Sequence, residues 1–166
     1  MRALPFIILA IICLVLQVAV ANPALAATSL RAAPQPLLIL ALFVALFAKS
    51  DAALLGCWTL GFMQELAGLT TLGAGALSYG LVGLIIVRIR SSVFRDHPLS
   101  HIFLALIFGF LANEFMALRL AAKIGDFNAR LLVAQPVATA IYTALLAPCL
   151  MPLLNAMRKL MQFPEK

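Results

Sequence analysis

The chain has 166 residues, of which 64% are hydrophobic and only 11% charged, with a mean hydropathy of +1.10. A water-soluble domain of this length carries charge on roughly a quarter of its residues, so the composition excludes an ordinary soluble domain and makes lipid the solvent for most of the chain. The net charge of +6 then points to Lys and Arg marking the cytoplasmic side of a membrane, not to nucleic acid. No polar stretch is long enough for a separate soluble domain, so residues 1–166 read as one integral membrane domain.

Six apolar runs follow in chain order. The first covers residues 4–21, behind Arg2. A Pro- and Ala-rich loop with Pro23, Arg31, Pro34 and Pro36 leads to the second, residues 37–48, which stops at Lys49, Ser50 and Asp51. The third covers 52–66, and a Gly/Thr turn at 68–73 leads into the fourth, 74–87. A basic loop over 88–98 precedes the fifth, from 99 to about 118. A polar connection, 119–130, precedes the sixth, 131 to about 157, which contains Pro136, Pro148 and Pro152. The last nine residues, RKLMQFPEK, form an amphipathic tail at the membrane surface.

The second run is shorter than the roughly 20 residues that span a bilayer, so residues 37–66 are either one interrupted crossing or a tight hairpin of two. Charge decides. The hairpin gives six crossings, with Arg2, Lys49, Arg88, Arg90, Arg95, Arg158, Lys159 and Lys166 on the cytoplasmic side and Arg31, Arg119, Lys123 and Arg130 outside. A single crossing would export the basic loop and the basic tail, against the positive-inside rule. The expected fold is therefore an all-α polytopic bundle of six transmembrane helices, with both termini cytoplasmic and some helices short or tilted. The first run, with Ala24-Leu25-Ala26 and Ala27 behind it, also imitates a secretory signal peptide; its length favours retention as a membrane helix.

Few residues carry chemistry. Of the six acidic side chains, only Glu65 and Glu114 fall within or at the ends of apolar runs, where a charge is costly and faces the bundle or a cavity. Flanked by Gln64 and Asn113, they form a candidate polar cluster at the outer face. The competing reading sends each carboxylate to interfacial water or to Arg119 or Lys123. His97 and His101 stand four apart, but Pro98 separates them and no third ligand is near, so no metal site is expected. Cys13, Cys57 and Cys149 are isolated and read as small hydrophobes. No nucleophile, zinc-protease or phosphate-loop motif occurs; neither an enzyme nor a cofactor is expected. Ala105 and Gly109 on the fifth helix, and Ala76 and Gly80 on the fourth, recur at every fourth position. Such stripes serve packing inside the bundle or a docking face for a partner's helix.

The segment GCWTLGFMQELAGLTTLGAGALSYGLVGLIIVRIRSSVFRDHP resembles the core of the rod-shape-determining MreD family, through Gly61, Glu65, Leu66, Gly68, Leu72 and Gly73 and the basic loop residues Arg88, Arg90 and Arg95. LVLQ (14–17), QPLLIL (35–40) and the last helix, AIYTALLAPCLMPLLNAMRKL, extend the resemblance over nearly the whole chain. Glu65 stands where the family usually has Asp, Ala67 where it has Ser, and Thr143 where it has Asn. The resemblance implies a non-enzymatic scaffold in the bacterial inner membrane that works with MreC, the actin-like MreB, and the peptidoglycan polymerase RodA with its transpeptidase. It also implies a fold similar to the substrate-binding subunits of energy-coupling-factor transporters. That likeness suggests the alternative, a small-molecule-binding subunit of a vitamin or metal transporter.

Overall fold

A computed structural model describes residues 3–27, 32–68, 73–90, 98–125 and 130–157. These residues form six α-helices: α1 Ala3–Ala27, α2 Pro36–Phe47, α3 Ser50–Gly68, α4 Ala74–Ile89, α5 Pro98–Ile124 and α6 Gln135–Ala156. A π-helical turn, Arg130–Ala134, leads into α6. Arg95, His97 and Leu72, and the basic tail from Arg158, lie outside the described residues.

The sequence of α2, PLLILALFVALF, is apolar all round, which suits an interior or a membrane span, and the structure places it in the interior. Every residue from Pro36 to Phe47 is buried, and α2 packs against each of the other five helices. Twelve residues make a rod about 18 Å long, shorter than the hydrocarbon core of a bilayer. Both ends of α2, Pro36 and Phe47, are buried inside the bundle. Only Ala48 and Lys49 separate α2 from α3, so the run 37–66 folds as a hairpin.

α3 and α4 approach each other closely. A Cβ placed on Gly75 would lie 2.8 Å from the Gly61 carbonyl oxygen, and one on Gly83 would lie 2.8 Å from the Cys57 Sγ. Lipid provides no hydrophobic drive between helices, so this backbone approach, permitted by small residues, is where α3 and α4 gain their packing. α5 and α6 meet similarly at Gly109, where a Cβ would stand 3.3 Å from the Ala140 Cα.

α5 continues well past the end expected near Leu118. Arg119, Leu120, Ala121 and Lys123 are good helix formers, and the helix stops only at Gly125, whose left-handed φ of 75° no ordinary residue adopts easily. The outward faces are apolar: Ile11, Trp58, Leu81, Phe103 and Leu145 are all exposed. Trp58 and Phe62 stack there with centroids 6.2 Å apart. Apolar exposure on this scale belongs to a lipid-facing surface. The segments Leu99–Lys123 and Leu132–Ala156 are each long and apolar enough to cross a bilayer.

Candidate functional site

Polar side chains gather in a layer where α2 begins, bonded to that helix end and to one another. A helix start leaves its first N–H groups without intrahelical partners. For α2, Pro36 has no N–H to satisfy. The Leu37 N–H donates to Gln17 Oε1 of α1 at 3.3 Å, and the Gln35 N–H donates to Thr143 Oγ1 of α6 at 3.2 Å. Gln17 Nε2 in turn donates to Gln64 Oε1 of α3 at 2.5 Å. Gln35 and Asn113 of α5 exchange amide hydrogen bonds of 3.0 and 3.2 Å, and Asn113 Nδ2 also donates to the Gly109 carbonyl at 2.7 Å. The Thr143 hydroxyl donates to the Thr139 carbonyl at 2.7 Å. Five helices are tied together at this level.

Glu65 belongs to a separate arrangement. It is 1% exposed. Its Oε2 accepts the Gly73 N–H at 2.6 Å and its Oε1 accepts the Ala76 N–H at 2.8 Å. Gly73 is the N-cap of α4, in the left-handed region at φ 93°, so the carboxylate from the end of α3 takes over the capping role that a Ser or Asp usually fills locally. The position also sets its charge against the positive end of the α4 dipole. Gly75 makes the approach possible, since a Cβ there would lie 2.9 Å from Glu65 Cγ.

The opposite end of α2 is closed by Arg90. Its Nη1 donates to the Ala45 and Ala48 carbonyls at 3.3 and 2.5 Å, and its Nη2 donates to Ser50 Oγ at 3.0 Å. The terminal carbonyls of α2 thus meet a guanidinium, the charge the helix C-terminus favours. Arg88 is exposed.

The structure therefore divides the residues that the sequence grouped. Gln64 and Asn113 sit in the layer at the start of α2, joined by Gln17, Gln35 and Thr143. Glu65 turns into the α3–α4 contact, and neither an outward pocket nor Arg119 or Lys123 receives it. Glu114 is half-buried, and its Oε2 is enclosed without a hydrogen-bond partner. Of the small-residue stripes, Ala76, Ala105 and Gly109 are buried within the bundle, because α4 and α5 turn these faces towards their neighbours. Gly80 alone is half-exposed, beside Trp58. Of the three basic-loop candidates, Arg90 is a helix cap. Gln17 and Gln35 were not among the sequence candidates; the available signal was a lone amide in an apolar run and a Gln immediately before the Pro that opens a helix. Among the described residues, no group of three His, Cys, Asp or Glu side chains could hold a metal ion.

A bundle with a fully apolar central helix, a layer of hydrogen-bonded polar side chains where that helix begins and a lipid-facing exterior is an integral membrane protein of the all-helical class. The family model described as rod shape-determining protein MreD matches residues 1–163, and the chain belongs to that family. Its role is accordingly in the determination of rod shape. No curated protein and no solved structure matches the chain.

Proposed function

We propose that the protein is a non-enzymatic scaffold of the bacterial inner membrane, linking an MreC-like membrane protein and MreB to RodA and its transpeptidase partner during cell elongation. The observation that carries this reading is family membership over nearly the full chain. The polar layer agrees with it. Gln17, Gln35, Gln64, Glu65 and Thr143 are engaged with helix ends and with one another, an arrangement that builds a rigid body. A vitamin- or metal-binding subunit would instead need such groups free to meet a ligand.

In this reading the bundle crosses the membrane six times. The Arg90 end of α2 faces the cytoplasm, the Gln17–Gln35 end faces outwards, both termini are cytoplasmic, and the fold is similar to that of energy-coupling-factor substrate-binding subunits. Positive charge at Lys49, Arg88 and Arg90 supports that orientation. Affinity purification of the tagged protein in mild detergent tests the partner set. MreC-like and RodA-like proteins are expected in stoichiometric amounts; recovery of transporter ATPases in their place would overturn the scaffold reading.

A further inference from the structure

The ties within the bundle are unequal, and α1 is attached differently from the rest. Among the described residues it packs on α2 and α3 alone. Its buried positions, Leu9, Ala10, Cys13 and Gln17, recur at intervals of three and four and so form one narrow stripe. Leu4, Ile8, Ile11, Ile12, Val15 and Leu16, on the rest of its circumference, are exposed. On the α3 side, Phe6 Cζ stands 3.8 Å from the Cβ position of Gly56. Lipid solvates Leu9 and Cys13 about as well as α2 does, so an apolar stripe alone gives little drive for docking.

The hydrogen bonds divide in the same way. Gln35 joins the start of α2 to Asn113 of α5 and Thr143 of α6, and Glu65 joins α3 to α4. Arg90 joins the end of α4 to α2 and α3, and the Cys57 thiol of α3 donates to the Ala41 carbonyl of α2 at 3.5 Å. The close backbone contacts at Gly61, Gly75 and Gly109 also lie within α2–α6. Among the described residues, α1 is tied to this body through Gln17 alone, which accepts from the Leu37 N–H at 3.3 Å and donates to Gln64 Oε1 at 2.5 Å. Release of α1 would break these two bonds and leave every other tie named here in place. The face of α2 that it uncovered would be apolar, which a bilayer accepts.

We infer that α1 is a strap over α2 that opens towards lipid as a unit, with Gln17 as its latch, while α2–α6 stay packed. Local opening begins in the elements with the fewest buried contacts and hydrogen bonds. In the closed state Gln17 satisfies the Leu37 N–H and Gln64; in the open state the α2–α3 seam faces the bilayer. Gln17 is thus a positioning residue for a whole helix. The inference goes beyond the scaffold reading and does not depend on which partners the protein has.

The test is double electron–electron resonance on the full-length protein in lipid nanodiscs, with Cys13, Cys57 and Cys149 replaced by Ala. Nitroxides are placed on exposed positions, as the pair Ile8→Cys and Leu145→Cys, between α1 and the body, or the pair Leu84→Cys and Leu145→Cys, within the body. Gln17→Leu should raise the ratio of open to closed distances in the first pair about fivefold, the worth of one interhelical polar contact, and leave the second pair unchanged. Gln64→Leu, which spares the Leu37 bond, should raise it less. An unchanged first pair in Gln17→Leu would show that α1 is a fixed part of the bundle. A second pair that broadens with the first would show that Gln17 supports the whole bundle. Either result overturns the inference.

Discussion

The Glu65 carboxylate at the end of α3 holds the Ala76 amide in the first turn of α4 at 2.8 Å, and with its other oxygen the Gly73 amide at 2.6 Å. One side chain thereby closes a helix end and fixes how two helices meet. Glu65→Leu strands two N–H groups away from water, each at about 1–3 kcal/mol. We expect it to lower stability by roughly 2–4 kcal/mol, while Glu65→Gln, which keeps one acceptor, costs about half as much. Thermal unfolding in detergent, followed by circular dichroism, reads the order Leu, Gln, wild type. Equal midpoints for all three would show that the cap contributes nothing.

The glycines of α3 and α4 separate into two kinds. Gly75→Ala would drive a methyl group to 2.8 Å from the Gly61 carbonyl and 2.9 Å from Glu65 Cγ, whereas at Gly80 the nearest atom is Trp58 Cδ1 at 3.7 Å. Gly75→Ala should therefore destabilise by about 1–3 kcal/mol, the usual cost of overpacking. Gly80→Ala should be neutral or stabilising, since it gains helix propensity of up to ~1 kcal/mol. The same unfolding measurement compares them directly, and equal effects would contradict the close α3–α4 contact.

Two arginines two residues apart should behave differently. Arg90→Leu leaves the Ala45 and Ala48 carbonyls and Ser50 without their donor, a loss of about 1–3 kcal/mol. Arg88, exposed at the end of α4, should tolerate Leu with a change of about 0.5 kcal/mol or less. Arg90→Lys should recover only part of the loss, because an ammonium group cannot reproduce the guanidinium's fork of donors. Protease resistance of the purified variants provides a second readout.

Much of this architecture was legible in the sequence. The break at Lys49 was readable from charge alone, because only a hairpin kept the basic loop and the basic tail on one side. The central position of α2 was not legible, because a helix apolar all round suits lipid as well as an interior. Glu65 was no easier. A carboxylate at a helix end beside a glycine-rich turn has water, a lysine or a backbone amide within reach, and only the missing Cβ of Gly75 in three dimensions selects the amide. Gln17 and Gln35 act across 20 and 108 residues of chain, on Leu37 and Thr143, a relation that no local pattern encodes. The stripe Ala105–Gly109 was visible, but a stripe does not say which helix it meets.

The proposed orientation places Ser91 and Asn128 on opposite sides of the membrane. In a variant lacking Cys13, Cys57 and Cys149, single cysteines at these two positions should react differently with a membrane-impermeant maleimide in intact cells. Asn128→Cys should label and Ser91→Cys should label only after permeabilisation. Labelling of Ser91→Cys from outside would contradict six crossings.

The most direct measurement of the central claim is cell shape after depletion of the protein in its own host. Membership of the rod-shape family predicts that rods widen and round up within a few generations. Wild-type protein supplied in trans should restore the rod, and Glu65→Leu should restore it less well than Glu65→Gln. Cells that keep their width and length after the protein is gone would contradict the account.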